Sequence, residues 1–259
     1  MRKGEKEAKV GVKSERAIVK FINRKGRFRR QFIQCLKNLG IPMQGKISAK
    51  RNNMKTDIFI EGGSLRIGVS IKSSTKTSFH QLDRRKLEKW KEDLGMPEEI
   101  FKILKKAILR VAKNPKNYFI RSEKEREIIR EFLAQNIREI INEIFTQRET
   151  ELQLLLINDI KNSTLYLFRM EDVINFLIRD IENNITFSSK GIIKLGNFIT
   201  VQRKGGDSSK IRIPKTCWKH PGNQLQFKFS PLKFVNHMKK YNCLNFQSIK
   251  IRCVKKCLF

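Results

Sequence analysis

Apolar residues recur at helical spacing through much of the first 150 positions. After Pro97, apolar side chains stand three or four positions apart, the period of an amphipathic helix, at Ile100, Phe101, Leu104, Ala107, Ile108 and Val111. Asn114-Pro115 ends this helix, and Ser122 with Glu125 three positions later has the form of a capping box that starts another. A thinner apolar stripe with the same period predicts a basic helix over the first 25 residues.

Shorter apolar runs separated by polar turns dominate after about residue 150. The segments LQLLLIND and STLYLFRM are typical of buried strands, and MEDVINFLIRDI is typical of a short helix. Further strands are predicted in ITFSS, in GIIKLGNFITVQRKGGD and in QLQFKFS. The chain is therefore predicted to be α/β of mixed α+β type, with a helix-rich region at 1–150, a β-rich region at 151–235 and a basic tail of unassigned role at 236–259.

The stretch KTDIFIEGGSLRIGVSIKSS, residues 55–74, has the alternation of a β-hairpin. If Gly62-Gly63 forms the turn, Asp57 faces Gly68, and the apolar side chains between Ile58 and Ile71 share one face of the hairpin. The other face then carries Asp57, Ser70 and Lys72 together. A shift of the register by one residue would separate these three side chains.

This trio has the layout of a metal-dependent phosphodiesterase. A carboxylate oxygen of Asp57 would hold Mg²⁺ against a phosphate, a second oxygen would complete the shell, and the ammonium of Lys72 would steady the attacking water and the developing charge. The order D-x(12)-S-x-K has the general form of the PD-(D/E)-x-K nuclease motif. An ordinary surface hairpin carries the same residue types, so the hairpin alone leaves both interpretations open.

The charge of the chain favours a polyanionic partner. Its 259 residues include 56 Lys+Arg and 25 Asp+Glu, a formal net charge of +31, and such self-repulsion opposes compaction. Nucleic acid fits a charge that is spread over most of the chain; an acidic membrane surface and a solvated basic face are the alternatives. Five cysteines without paired spacing predict reduced thiols and no zinc site. With no apolar N-terminal segment and no 18-residue apolar run, the expectation is a cytoplasmic protein that is neither exported nor membrane-spanning.

Three stretches carry a family resemblance: KTD…VSIKSS, then SFHQLDRRKLEKW, then GNFITVQRKGGD with the later QLQFKF. Together and in this order they resemble the HinP-type restriction endonucleases, monomeric type II enzymes of the PD-(D/E)-x-K superfamily that cut GCGC. The similarity runs from about Ser14 to Phe229. It implies a mixed-sheet nuclease core flanked by helices within 1–150, a smaller β-rich DNA-recognition region within 151–235, Mg²⁺ as cofactor and duplex DNA as substrate.

The resemblance implies catalytic roles for four residues. Asp57 matches the metal-binding aspartate of the family, and Lys72 matches its catalytic lysine. Ser70 stands where the family has glutamine or asparagine, and its hydroxyl, a shorter and poorer Mg²⁺ ligand beside Asp57, would ligate directly, through water or not at all. Glu15, on the basic N-terminal helix, matches a family glutamate and would supply the missing carboxylate.

The resemblance also implies DNA contacts. Phe79 and Gln81 match a family loop that pushes against stacked bases, and Arg84 and Arg85 are predicted to contact the backbone; alternatively, Phe79 anchors the following helix in the core. Arg, Gln, Lys and Asp suit a G·C-only site, and the predicted base readers are Gln202, Arg203, Lys204, Asp207, Gln226 and Lys228. The insert at 208–223 between them is longer than in the family and would add phosphate contacts or alter the site that is read.

The predicted function is a bacterial, cytoplasmic type II restriction endonuclease that hydrolyses duplex DNA at a short G·C palindrome. The resemblance implies GCGC as the site, a monomer or weak dimer as the active species and a protective DNA methyltransferase as functional partner. Two alternatives stay open. If Ser70 disables the metal site, the chain is a sequence-specific DNA-binding protein without cleavage; if the hairpin is incidental, it is a general basic nucleic-acid-binding protein.

Overall fold

The structure, a computed structural model, describes residues 3–52, 54–208 and 210–251. The described helices are α1 (Lys3–Asn23), α2 (Arg27–Asn38), α3 (Leu87–Leu94), α4 (Glu98–Lys113), α5 (Glu123–Gln135), α6 (Ile137–Thr146), α7 (Met170–Ile181) and α8 (Pro231–Tyr241). The described strands are β1 (Ser48–Arg51), β2 (Ile58–Gly62), β3 (Leu65–Ser74), β4 (His80–Arg85), β5 (Leu152–Asp159), β6 (Thr164–Arg169), β7 (Ile185–Ser188), β8 (Ile192–Leu195), β9 (Ile199–Arg203), β10 (Leu225–Phe229) and β11 (Phe246–Lys250). This mixture confirms the predicted α+β class.

The chain forms two compact units, each built from separate segments. Unit 1 takes the described parts of 1–78, 146–175 and 231–259, and unit 2 takes those of 79–145 and 176–230. Two breaks between the units, at 145/146 and 230/231, lie close to the predicted boundaries at residues 150 and 235. Each unit nevertheless takes segments from both predicted regions, because β5 and β6 join the sheet of the β2–β3 hairpin, whereas the helices of 79–145 belong with β7–β10. The change of texture near residue 150 therefore lies close to a break between the units, but the regions on its two sides are not separate units.

Unit 1 is a six-stranded sheet with helices on both faces. Its order is β1-β2-β3-β5-β6-β11, and all neighbours are antiparallel except the parallel pair β3 and β5. Helices α1 and α2 cover one face and bury a core that includes Ile18, Ile22, Phe32, Leu36, Ile58, Ile60, Ile67, Val69, Leu154 and Leu156. Helix α8 packs on the other face, where the rings of Phe168 and Phe234 lie 5.3 Å apart.

Unit 2 is an antiparallel sheet with helices on one face. The strand order is β4-β10-β9-β8-β7. Trp90 of α3 packs on Phe227, with ring centroids 4.9 Å apart, and Phe145 of α6 packs edge-on against Phe229 at 5.4 Å. Because Phe227 and Phe229 point to the same side of β10, the helices cover that side of the sheet.

Most locally periodic segments form the predicted elements. Helix α1 spans the predicted basic helix, and α4 buries the predicted stripe, apart from the half-buried Phe101. The Ser122 side chain accepts a hydrogen bond from Glu125 N at 3.4 Å and caps α5, as its spacing predicts. Strands β5 to β10 and helix α7 also lie where the pattern predicts them.

Two segments differ from their predictions. The stretch from Phe79 to Gln81 matches a loop of the family, but residues 80–85 form the strand β4, which pairs with the distant strand β10. The predicted tail is partly integral, because α8 covers the sheet of unit 1 and β11 extends its edge; Cys253 and Cys257 lie outside the described residues. Among the described helices, none is long and apolar enough to cross a bilayer.

Candidate functional site

The β2–β3 hairpin brings Asp57 opposite Ser70. Its register pairs Ile58 with Val69 and Gly62 with Leu65, so the turn is Gly63-Ser64, with Gly63 at a φ of 61°. This register is two residues away from the predicted one. A shift of two preserves which side chains share a face, and the predicted trio therefore stays together.

Three polar side chains converge on this face. Asp57 Oδ2 accepts hydrogen bonds from Ile71 N at 2.5 Å and from Ser70 Oγ at 3.3 Å. Lys72 Nζ donates to Ser70 Oγ at 2.7 Å and lies 3.6 Å from Asp57 Oδ2. The result is a chain of contacts from the ammonium through the hydroxyl to the carboxylate.

The site lies on a central strand rather than on a surface hairpin. Strand β3 has β2 on one side and β5 on the other, and Ser70 aligns across the sheet with Leu155 and Phe168, on the face that α8 covers. Ser70 is accordingly 1% exposed, whereas the side chains of Asp57 and Lys72 keep 22% and 19% exposure. Buried polar groups need a specific reason, and here the two charged ends still reach solvent.

Glu149 holds the backbone that leads into Asp57. Its carboxylate accepts hydrogen bonds from Lys55 N at 3.1 Å, from Thr56 N at 2.9 Å and from Thr56 Oγ1. The Thr56 side chain is fully buried against Gly68, where an added Cβ would lie 2.8 Å from Thr56 Oγ1. The role of Glu149 was not predicted, because no sequence spacing connects it to the hairpin, and the contact of Gly68 with Thr56 was not predicted either.

Glu15 has a partner other than the trio. Its Oε2 accepts two hydrogen bonds from Arg51 of β1, from Nη2 at 2.8 Å and from Nε at 3.1 Å. The preceding Ser14 is buried and accepts a hydrogen bond from Asn158, which fixes α1 against the end of β5. The catalytic role of Glu15 stays a prediction, and it requires the carboxylate to share or leave Arg51.

The oxygen atoms at Asp57 and Ser70 are of the kind that binds a hard divalent cation. No described residue donates a hydrogen bond to Asp57 Oδ1, and the Ser70 hydroxyl is a second oxygen beside it. Across residues 3–52, 54–208 and 210–251 there is no cluster of three or more His, Cys, Asp and Glu side chains able to hold a metal ion. Mg²⁺ is commonly held by one or two carboxylates with waters and substrate phosphates, so one aspartate with these neighbours suffices.

A second polar array lies on the sheet of unit 2. Arg84, Gln226 and Gln202 stand directly opposite one another on three adjacent strands, and Lys228 aligns with Gln81 one row away. Gln226 Nε2 donates to Gln81 Oε1 at 3.0 Å. We name these five residues the polar face of unit 2; they point away from the helices, because Gln226 and Lys228 alternate with Phe227 and Phe229.

Lys204 lies beside the polar face at the end of β9. Its backbone N–H donates to Gln224 O, and its ammonium donates to Pro221 O at 3.4 Å. Burial lowers the pKa of Lys204, and the nearby positive charge of Arg84 lowers it further. Two cations therefore stand close together at this edge, an arrangement that a phosphate would stabilise.

Arg203 points to the opposite side of the sheet from Gln202. Its guanidinium is almost completely buried, donating to Asn223 Oδ1 at 2.6 Å and to both carboxylate oxygens of Asp207 at 2.8 and 3.0 Å. The hydrogen bonds from Arg203 hold the pKa of Asp207 below its ordinary value. The predicted base contacts of both residues stay predictions; here the two side chains bind each other and secure the insert at 208–223.

Arg85 is enclosed by acids. Its guanidinium donates to Asp83 and Asp93 at 2.6 Å and to Glu143 at 2.7 Å, and it also lies over the Trp90 ring. Burial opposes its charge, but these hydrogen bonds raise the pKa of Arg85 above its ordinary value. The predicted phosphate contact of Arg85 stays a prediction and requires the guanidinium to leave these acids, whereas its neighbour Arg84 is exposed.

Phe79 is 39% exposed, which favours the predicted contact over the alternative of a core anchor for the following helix. Large apolar side chains at this exposure are few in the described chain, and this one immediately precedes β4 of the polar face. Its predicted role as a wedge against stacked bases stays a prediction that the exposure supports.

Comparison with known families decides the class. The family described as R.HinP1I restriction endonuclease matches residues 45–235, most of the chain, including the trio and the polar face. The chain belongs to this restriction endonuclease family. Membership makes the protein a DNA-cleaving hydrolase and confirms the resemblance first seen in three stretches; Glu15 lies outside the matched range.

A solved structure supports the fold of the R.HinP1I family member. The crystal structure of restriction endonuclease MspI in complex with its cognate DNA superposes with a TM-score of 0.55 at 14% sequence identity. The match covers 87% of this chain and 91% of MspI. No curated protein sequence matches the chain.

Proposed function

We propose that this family member is a Mg²⁺-dependent type II restriction endonuclease that cuts duplex DNA at a short G·C palindrome, with GCGC as the site. It would act as a monomer or weak dimer in the bacterial cytoplasm, where a DNA methyltransferase protects the host's own sites. The observation that carries the proposal is the convergence of Asp57, just before β2, with Ser70 and Lys72 of the central strand β3 in a restriction-endonuclease fold.

Asp57 is the residue that would hold Mg²⁺ directly, and the Ser70 hydroxyl, which already contacts Lys72 and Asp57, would meet the ion through a bound water. The ion, when bound, supplies Lewis-acid polarisation of the phosphate and a more acidic water. Lys72 stays within hydrogen-bond distance of Ser70 Oγ, which keeps its positive charge beside Asp57 Oδ2. There the ammonium orients the attacking water and offsets the negative charge that develops on the phosphate.

The reaction balances as addition of water across one P–O3′ bond. The water oxygen forms a bond to phosphorus as the P–O3′ bond breaks. A proton passes to the leaving oxygen, which gives a 3′-hydroxyl, and the phosphate stays on the 5′ end. The contribution of this chain is to place a carboxylate and an ammonium 3.6 Å apart with a buried hydroxyl between them.

The polar face of unit 2 is the proposed reader of the site. Glutamine amides at Gln202 and Gln226 donate and accept along base edges, while Lys228, Lys204 and Arg84 bring positive charge to bases or phosphates. MspI, which shares the fold, was crystallised with its cognate DNA, and this favours duplex DNA as the ligand. Arg203, Asp207 and Arg85 would serve as internal supports of this face unless DNA opens their ion pairs.

The test is cleavage of plasmid DNA with Mg²⁺ by wild type and by Asp57→Ala. Discrete fragments with 5′-phosphates, and run-off sequencing that places every cut within GCGC, are expected for wild type. Asp57→Ala should bind the same site and leave it intact. Glu61→Ala is the matched control, because Glu61 lies on the same hairpin and pairs with the exposed Lys50 at 3.4 Å.

Each alternative has its own outcome. Binding to one sequence without cutting by wild type would favour the protein that has lost cleavage. Retention of any DNA regardless of sequence would favour the general basic binder. Cleavage by Asp57→Ala at the wild-type rate would refute the assignment of the site.

A further inference from the structure

Helix α4 presents a row of cations along one side. A groove of about 510 Å³ is lined by Lys102, Lys105, Lys106, Leu109, Arg110 and Lys113. The opposite side of the helix is apolar and buried, from Ile100 to Ala112. The groove is therefore the outer surface of an anchored helix, and its charges are held in fixed positions along the helix axis.

These cations are only partly neutralised: the pKa of Glu98 is lowered mainly by its hydrogen-bonded ion pair with Lys91, and Lys102 and Lys105 are only near enough to help lower it. Lys106 pairs with Glu125 at 3.3 Å, and Arg110 donates to the carbonyl of Phe119. Within the described part of the chain, no carboxylate lies within 4 Å of Lys102, Lys105 or Lys113. Like charges three and four positions apart destabilise a helix, so a bound polyanion would stabilise this surface.

Neighbouring helices lack this imbalance. On α3, Lys89 pairs with Glu92 and Asp93. On α5, Arg126 pairs with Glu123 and Arg130 pairs with Glu127. Among the described residues lining the α4 groove, Lys106 has the one carboxylate partner within 4 Å, so this row is less neutralised than the cations of α3 and α5 named above.

The groove lies on the helical side of unit 2, away from the polar face. Trp90 and Phe145 show that the helices cover the Phe227 side of the sheet, and α4 contacts α3, α5 and β9 in that layer. A helix is about 10–12 Å in diameter with its side chains. A straight duplex segment that lies on the polar face therefore does not reach the groove.

The insert at 208–223 extends this basic side. Trp218 Nε1 donates to Glu88 Oε1 on α3 at 2.5 Å, and the Trp218 ring lies 5.1 Å from Lys105 Nζ. This contact anchors the insert to the helical side, where it adds the exposed Lys215 and Lys219. The insert thus connects the end of β9 with the α4 surface.

We propose that the α4 groove, with the insert beside it, binds the phosphate backbone of a second DNA duplex without sequence preference. The inference rests on the proposed function, in which the first duplex occupies the polar face. The lining residues from Lys102 to Lys113 span about 16 Å along the helix, and duplex DNA presents roughly ten phosphate charges over that distance. One molecule would then hold two DNA segments at once.

The experiment measures bridging by energy transfer between two labelled duplexes, one with the cut site and one without it. Full-length protein is used in EDTA, where a metal-dependent enzyme leaves both duplexes intact. Wild type should bring the labels together. The variant Lys102→Gln/Lys105→Gln/Lys113→Gln should bridge at least tenfold more weakly, and its salt slope for the second duplex should fall by about 2.7. With Mg²⁺, its cleavage of a short duplex that contains only the site should stay within about twofold of wild type.

The control variant Lys37→Gln/Lys46→Gln/Lys250→Gln removes the same charge from exposed positions of unit 1 and should bridge like wild type. Wild-type bridging by the α4 variant would overturn the proposal, as would an equal loss in short-duplex cleavage, which would make α4 part of the first interface. Competition by polyglutamate or single-stranded RNA as effective as by duplex DNA would also overturn it. Bridging needs no cleavage, so a failure of the nuclease proposal is seen separately in the plasmid assay.

Discussion

Replacement of Ser70 by alanine tests whether the serine hydroxyl contributes to cleavage at a position where the family has the longer side chains of glutamine or asparagine. The hydroxyl is 1% exposed and joins Lys72 Nζ, 2.7 Å away, to Asp57 Oδ2, 3.3 Å away. In Ser70→Ala no bulk water takes its place. Lys72 then keeps only the Ile71 carbonyl at 3.4 Å and the carboxylate itself at 3.6 Å.

The expected effect is on the rate of cleavage. A hydrogen bond to a charged group contributes about 1.5–3 kcal/mol. Because about 1.4 kcal/mol changes a rate tenfold, loss of the contact that positions Lys72 should slow cleavage by about 10- to 150-fold. The hydroxyl is mainly occupied by Lys72 and Asp57, so the Mg²⁺ concentration for half-maximal rate should change by less than about twofold.

The assay is single-turnover cleavage of a short duplex over a series of Mg²⁺ concentrations, with the melting temperature measured in parallel. Ser73→Ala is the matched control, since Ser73 is the next serine of β3 and points to the other face, where it accepts from Asn158 at 3.4 Å. A Ser70→Ala rate that recovers fully at high Mg²⁺ would show that Ser70 is a metal ligand and would refute the reasoning. An unchanged rate would refute it as well.

Three further outcomes test the supports of the two arrays. Glu149→Gln replaces one acceptor by a donor that faces a backbone N–H, so denaturant unfolding should show a loss of about 1–3 kcal/mol and slower cleavage; full activity and stability would contradict this. Gly68→Ala places a Cβ 2.8 Å from Thr56 Oγ1 and should cost about 1–3 kcal/mol, whereas Gly11→Ala on α1, with open space around it, should cost nothing. Asp207→Asn should lower the free energy of unfolding at neutral pH. Because the pKa of Asp207 is depressed in the folded protein, this difference from wild type should hold above about pH 5 and shrink below about pH 4. A stability difference that does not depend on pH would exclude the ion pair with Arg203 as its cause.

Local alternation was enough to predict the shared face of the trio. The predicted turn was wrong by one residue and the register by two, yet Asp57, Ser70 and Lys72 still meet, because the side-chain period of a strand is two. The same period, applied to VQRK, separates Gln202 from Arg203. The grouping of those two as base readers followed the family phrase rather than the geometry, and the structure puts them on opposite sides of the sheet.

Contacts between distant segments could not be predicted from one sequence. Strand β4 looked like a loop because its partner β10 lies far along the chain, and Arg85 looked free because Glu143 comes from another helix. The role of Glu149 could not be predicted for the same reason, because it lies far along the sequence from Thr56, from whose backbone N–H it accepts a hydrogen bond. Helices with their own caps and stripes, such as α4 and α5, were predicted because everything that defines them is local.

The parallel pair β3–β5 has a consequence for the order of folding. The β2–β3 hairpin is a local structure and forms from neighbouring residues, but Lys72 pairs with Ile157, on the far side of the whole 79–145 segment. Such non-local parallel pairing is slow, because the chain must lose the conformational entropy of closing a long loop before the stabilising contacts form. We therefore expect the residues of the trio to meet early, and the pairing of β5 and the hydrogen bonds from Lys55 and Thr56 to Glu149 to form later. In a newly made chain we expect the trio to become rigid only after the 79–145 segment has been made and β5 has paired with β3.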